Sequence, residues 1–135
     1  MRIVLDTNSL IQCLGIHSPY RGVWLSILSG TNTLCVSNEI ISEYEEILQR
    51  FFRPDFAEAV LHAILKSRNV MFFSPHYHFN LIQVDPDDNK FVDCAIQANA
   101  RFIVTNDHHY DILRQIEFPR VDIITLAEFL RFIQV

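Results

Sequence analysis

Short apolar runs alternate along this chain with stretches of helical period. Arg2–Leu5, Thr33–Val36, Val70–Phe73, Phe102–Thr105 and Val121–Ile124 are each a few residues long and apolar almost throughout. Runs of that length with no polar face predict strands buried on both sides. Between them the apolar positions recur every three or four residues. Ser9–Gly15 predicts a short helix, broken at Ser18-Pro19, and Tyr20–Leu28 a second, with Val23, Trp24, Ile27 and Leu28 apolar. Ser37 is a good N-cap for a helix carrying Ile40, Ile41, Tyr44 and Leu48, expected to stop near Phe52 because Pro54 follows. Asp55 is the expected cap of the next helix, whose core face would be Phe56, Val60, Ile64 and Leu65. Ser74–Asp87 has two prolines and no period, so it reads as loop. A helix is expected from Asp88 to about Ala100 and a short one over Tyr110–Ile116. Thr125 should cap a last helix bearing Leu126, Phe129, Leu130 and Ile133. Strands that alternate with helices imply an α/β fold: three layers, with a central parallel sheet of four to five strands between helices.

Composition narrows the class. A chain of 135 residues, half of them hydrophobic and only three of them glycine, suits one compact domain over 1–135. No apolar stretch is long enough to cross a membrane, and a strand beginning at Arg2 leaves no room for a signal peptide. Cys13, Cys35 and Cys94 are odd in number and lack metal-ligand spacing, so free thiols in a reducing cytoplasm are expected. The net charge of −5 argues against a protein that coats nucleic acid, because phosphate neutralisation dominates that affinity. It argues less against a nuclease, whose metal site itself consumes negative charge.

Candidate chemistry lies in the acids. Asp6 and Asp107 each follow a predicted buried strand, and in open parallel sheets ligands bind outside the carboxyl ends of strands. Glu43 lies on the helix after Ser37, and Asp88 opens a later helix after Asp85-Pro86-Asp87. Each has a plain alternative. Asp6 and Asp107 suit helix caps, Glu43 sits among Glu39, Glu45 and Glu46 on what reads as a solvated face, and Asp88 favours a helix start electrostatically. Asp93 lies five residues after Asp88, roughly 140° around a regular helix, and should point elsewhere. Carboxylates gathered at one edge repel one another, and hard oxygen-seeking cations such as Mg²⁺ or Mn²⁺ relieve that repulsion.

Four segments together resemble the PIN-domain ribonucleases. They are Val4-Leu5-Asp6-Thr7-Asn8-Ser9-Leu10, Val36–Leu48 around Glu43, Asp85-Pro86-Asp87-Asp88-Asn89-Lys90-Phe91-Val92-Asp93-Cys94-Ala95, and Ala100–Asp107. The subgroup resembled is that of the toxins of prokaryotic toxin–antitoxin pairs. The resemblance implies a Mg²⁺- or Mn²⁺-dependent endoribonuclease with Asp6, Glu43, Asp88 and Asp107 as catalytic metal ligands, and Asp93 as a fifth candidate. It further implies an RNA substrate and a cognate antitoxin; single-stranded RNA is the expected form, because exposed phosphates and unstacked bases can enter a cleft that a duplex cannot. Thr7, Asn8, Ser37, Thr105 and Asn106 would orient carboxylates or meet the scissile phosphate, capping being their plain alternative. Some of Arg50, Arg53, Lys66, Arg68, Lys90 and Arg101 should border the acids, and the last helix, with Leu126, Phe129, Leu130 and Phe132, offers apolar surface for a homodimer.

Three rivals remain open at this point. A haloacid-dehalogenase-like phosphatase would want a second acid where this chain has Asn8. A zinc site could draw on His76, His78, His108 and His109, though His-x-His and His-His alone are weak signals. A catalytically silent scaffold of the same fold is the third.

Overall fold

Five parallel strands form one sheet in the order β3-β2-β1-β4-β5 in the computed structural model, which describes residues 1–134. They are β1 (Arg2–Leu5), β2 (Thr33–Val36), β3 (Val70–Phe72), β4 (Phe102–Val104) and β5 (Ile123–Ile124). Among the described residues six α-helices accompany them: α1 (Thr7–Leu14), α2 (Arg21–Leu28), α3 (Asn38–Phe51), α4 (Pro54–Lys66), α5 (Asn89–Ala98) and α6 (Leu126–Ile133). Ile3, Val4, Leu5, Leu34, Cys35, Val36, Ile103 and Val104 are fully buried. Consecutive burial of this kind arises when both faces of a parallel sheet are covered. α5 packs on β1, β2 and β4, while α1 and α6 both pack on α2. Right-handed crossovers put the β1–β2 and β2–β3 connections over one face and α5 over the other, giving the three α/β/α layers.

The order of the strands decides where a site can form. The chain leaves β1 toward β2 on one side and leaves β4 toward β5 on the other, and β1 and β4 are neighbours with Leu5 opposite Val104. Their following segments diverge, opening a crevice at the carboxyl edge of the sheet at this switch point. Asp6 and Asp107 stand on its two sides.

Local boundaries follow identifiable chemistry. Asp6 caps α1 through the Ser9 amide, so that helix begins at Thr7, two residues earlier than the apolar pattern suggests. Ser37 caps α3, and Thr125 with Glu128 forms a capping box on α6. α4 is not capped by Asp55: Arg53 holds the cap position without a side-chain bond and Pro54 is the first helical residue. Proline suits that position because its φ is preset and its missing N–H would have no partner there. Phe56 and Leu65 do not join the core face of α4 with Val60 and Ile64; they are 36% and 46% exposed, Phe56 lying against Phe52 with the rings tilted. The segment before α5 is a 3₁₀ turn over Pro86–Asp88, and α5 ends at Ala98 because Asn99 turns left-handed at φ 51°. The segment over His108–Gln115 is a 3₁₀ helix rather than an α-helix. No helix among the described residues is long and apolar enough to cross a membrane. Cys13, Cys35 and Cys94 are free and buried, and burial pushes their thiols up, to about 12, 11 and 12.

Candidate active site

Asp6, Glu43, Asp88 and Asp107 line one open cleft of about 490 Å³ at the carboxyl edge, with Thr7, Asn8, Asp85, Asp87, Arg50 and Phe91. The four acids come from the end of β1, the middle of α3, the turn before α5 and the segment after β4. Asp6 is the most buried of them. One of its oxygens accepts the Ser9 amide at 2.9 Å and the other accepts the Thr105 hydroxyl. The same hydroxyl oxygen accepts the Asp107 amide at 3.0 Å, so Thr105 holds both strand-end acids in register. Asp107 in turn accepts the His109 amide at 2.8 Å and caps the 3₁₀ helix.

Glu43 is held differently. Lys90 approaches one of its oxygens at 2.8 Å, and the Thr7 hydroxyl donates to the other. Lys90 is largely buried and also donates to the Asp87 carbonyl at 2.8 Å, so it ties α5 to α3 and is not a free surface cation. One residue along α3, the fully buried Tyr44 hydroxyl donates to the Leu5 carbonyl at 2.6 Å. That bond fixes α3 against the last residue of β1, directly before Asp6.

Charge is crowded in this cleft. Burial raises the Asp6 carboxyl, with Asp107 adding to the rise and the Thr105 and Ser9 hydrogen bonds opposing it. Asp88 is pushed up to about 6, by burial first and then by the charges of Asp85 and Asp107. One buried oxygen of Asp88, Oδ2, has no hydrogen-bond partner, and neither does the hydroxyl of Tyr110. Tyr110 is 1% exposed, and burial first, then the charges of Asp88 and Asp6, the contact with Asp88 and the charge of Asp107 push its hydroxyl up. The two polar groups lie beside each other without an aligned bond. Unsatisfied oxygens facing an anionic cleft are the condition that a bound cation relieves. The donor set is carboxylate oxygen, which suits Mg²⁺ or Mn²⁺.

Other candidates sit elsewhere. Asp93 lines a separate polar pocket of about 200 Å³ with Ser37, Glu39, His78 and Lys90. Its carboxylate accepts the Phe79 amide at 3.2 Å and faces His78. Ser37 is engaged as the cap of α3, and the Asn106 carboxamide oxygen accepts the Leu126 amide at 3.0 Å, tying β4 to the start of α6. Asn8 is exposed at the cleft. Of the basic residues, Arg50 lines the cleft, paired with Glu46 at 3.2 Å. Lys66, Arg68 and Arg101 precede β3 and β4 and so lie at the opposite, amino edge, where Arg101 pairs with Asp122. The four histidines do not converge into a zinc site. His78 faces Asp93, His108 faces Asp111, and only His109 turns to the cleft acids. On α6, Leu126 and Phe129 are fully buried in the core, so of the residues expected to offer apolar surface only Phe132 is well exposed.

Sequence reasoning placed neither Asp85 nor Tyr110 at this cleft, and weighed His109 only for a zinc site with the other histidines. Ligand atoms of Asp85, Asp88 and His109 lie within 4.8 Å of one another. Asp85 reads in the sequence as one more acid at a helix start, and its carboxylate does accept the Asp87 amide. The signal for His109 was its place two residues after Asp107.

A family model described as PIN domain matches residues 2–109, and the chain belongs to that family. No curated protein matches the chain. Among solved structures it is similar to a chain of VapBC2 from Rickettsia felis bound to a DNA fragment from their promoter, at TM-score 0.65 and 18% identity, covering 93% of this chain and 98% of that one. It is similar to FitAB bound to an IR36 DNA fragment at TM-score 0.58 and 15% identity, covering 92% of this chain and 94% of that one. The PIN domain endonuclease Utp24 is similar at TM-score 0.54 and 17% identity, with 92% and 84% covered. Identities this low show the shared fold.

Proposed function

We propose that the chain is a single-domain, metal-dependent endoribonuclease, cutting single-stranded RNA and serving as the toxin of a toxin–antitoxin pair in the cytoplasm. The observation that carries this reading is the convergence of Asp6, Glu43, Asp88 and Asp107, from four separate segments, on one cleft at the switch point. Membership of the PIN family supports it.

Asp6, Asp88 and Asp107 would hold Mg²⁺ or Mn²⁺, with Glu43 completing the set directly or through water. Such an ion lowers the pKa of a bound water and polarises a phosphate oxygen. The chain's own residues set the geometry. Thr105 aligns Asp6 and Asp107, and Lys90 with Thr7 fixes Glu43. Arg50 stands at the cleft, where it can meet a backbone phosphate. An open cleft suits single strands, whose unstacked bases and phosphates enter where a duplex does not.

VapBC2 and FitAB were both solved on DNA, which supports a DNA-bound assembly with an antitoxin for this chain as well. With a net charge of −5, the basic DNA contact would fall to that partner. A homodimer belongs to the same proposal, since two-fold pairs are the commonest assemblies.

Purified protein with Mn²⁺ or Mg²⁺ should cut a single-stranded RNA internally, and a chelator should stop it. Asp6→Asn, Glu43→Gln, Asp88→Asn and Asp107→Asn should each lower the rate by about 10²-fold or more, because all act on one metal unit. Folded wild-type protein that cuts no RNA with either ion would instead be a binding scaffold of this fold.

A further inference from the structure

His109 stands in an unusual relation to the cleft. Its Nδ1 lies 3.8 Å from Asp85 Oδ2, 3.6 Å from Asp88 Oδ2 and 3.5 Å from Asp107 Oδ1. These separations are too long for hydrogen bonds, so the ring nitrogen is surrounded by carboxylates and bonded to none. They do suit donors sharing one ion. Two ligands about 2.1 Å from a common metal are about 3.0 Å apart when adjacent in an octahedron and about 4.2 Å apart when opposite. The His109 amide donates to Asp107 at 2.8 Å, which fixes the backbone of the turn that carries the ring.

Two further observations point to an occupant. Asp88 Oδ2, one of the atoms facing His109, is buried without a partner. The Tyr110 hydroxyl, on a side chain 1% exposed, is likewise unpartnered and sits among Asp88, Asp6 and Asp107. A cation drawn in between Asp85, Asp88 and His109 would satisfy the Asp88 oxygen. The protein group beside Asp88 Oδ2 is that same Tyr110 hydroxyl, and the two do not meet hydrogen-bond geometry.

The ligand types decide which cation. Asp85 and Asp88 alone offer oxygen, which both Mg²⁺ and Mn²⁺ accept. An imidazole nitrogen changes the balance, because Mg²⁺ prefers oxygen and water, whereas first-row transition ions bind imidazole well.

We propose that Asp85, Asp88 and His109 form a mixed nitrogen–oxygen metal site at the Asp107 side of the cleft, and that His109 makes it select Mn²⁺ over Mg²⁺. This deepens the proposed nuclease reading, in that the cleft is taken to hold the divalent ion. It adds that this chain has its own metal preference, set by a histidine and an aspartate outside the four acids.

The test uses the whole purified protein and metal chlorides alone. Calorimetric titration should show Mn²⁺ binding at least tenfold tighter than Mg²⁺. His109→Ala should weaken Mn²⁺ binding about tenfold while leaving Mg²⁺ within about twofold. Asp85→Asn should weaken both ions. Pulsed electron paramagnetic resonance of the Mn²⁺ form should show the nitrogen modulation of a directly bound imidazole, absent in His109→Ala. A purely structural role for His109 would not produce that signal. Its ring is 42% exposed, and circular dichroism should confirm that the variant is folded. Equal Mn²⁺ affinity in wild type and His109→Ala, or no nitrogen modulation in the wild type, overturns the proposal even if RNA is cut. Mn²⁺ selectivity that depends on His109 in a protein that cuts no RNA upholds the site and removes the nuclease reading. A wild-type protein that binds neither ion removes both.

Discussion

Asp88 concentrates the electrostatic cost of this cleft in one side chain. Its folded-state value of about 6 exceeds the usual unfolded value of about 3.9. Between those values the folded protein binds more protons than the unfolded chain, so stability falls as pH rises. The Asp88 contribution is therefore complete below about pH 4 and lost by about pH 6–7, and after discounting for water in the open cleft it amounts to about 1–2 kcal/mol. Asp88→Asn keeps the shape and removes the titration. In chelator-treated protein it should raise the melting temperature at pH 7 by about 3–6 °C and flatten its dependence between pH 4 and 6. Melting curves that shift with pH just as the wild type does would reject the assignment. Thr105 offers a second check. Thr105→Val preserves volume but removes the hydroxyl that serves both Asp6 and Asp107. It should cost about 1–2 kcal/mol in denaturant unfolding and weaken metal binding as well. Unaltered metal affinity would show that this hydroxyl does not position the acids.

At the scale of elements, the site depends on how α3 is seated. The Tyr44–Leu5 bond crosses from α3 to the end of β1, and the Lys90–Glu43 pair crosses from α5 to α3. Tyr44→Phe leaves the ring in place and strands the Leu5 carbonyl. It should lower stability by about 1–2 kcal/mol, and lower RNA cleavage by more than that loss of folded protein explains. Cleavage that tracks only the folded fraction would limit Tyr44 to a structural part. Thr125→Ala, far from the acids in the chain, should cost about 1 kcal/mol by opening the capping box and leave metal affinity unchanged. Caps at Ser37 and Thr125 were legible in the sequence because their chemistry is local. The 3₁₀ helix after Asp107 was not. Its buried residues, Tyr110 and Leu113, are three apart, a spacing that reads equally well as α-helical. Asp55 misled for a similar reason: an acid after proline looks like a cap, but the proline had already taken the first helical position.

For the whole molecule, net charge and crowded acids make the divalent ion part of stability. Mg²⁺ or Mn²⁺ should raise the melting temperature, by about 2.7 kcal/mol of stabilisation at a hundredfold excess over the dissociation constant. Asp6→Asn and Asp107→Asn should each sharply reduce that response, and a full response in either variant would remove it from the ligand set. RNA affinity should fall as salt rises, since attraction rests on a few local cations such as Arg50. Affinity indifferent to salt would exclude a phosphate-led contact.

The sequence by itself determined the alternation of five apolar runs with helices, because strand and helix periods are properties of neighbouring residues; that the edge strands β3 and β5 are only partly buried was not legible in it. It also determined which acids follow β1 and β4, since each comes directly or within three residues after an apolar run. Their grouping with Glu43 and Asp88 was legible only as a resemblance. Tertiary structure alone decided that β1 and β4 lie side by side, that Lys90 is spent on Glu43, and that Asp93 opens to a different pocket. It alone brought His109 and Tyr110 to Asp88. These are distances between segments remote in the chain, and they follow from strand order and helix seating, which no local period records.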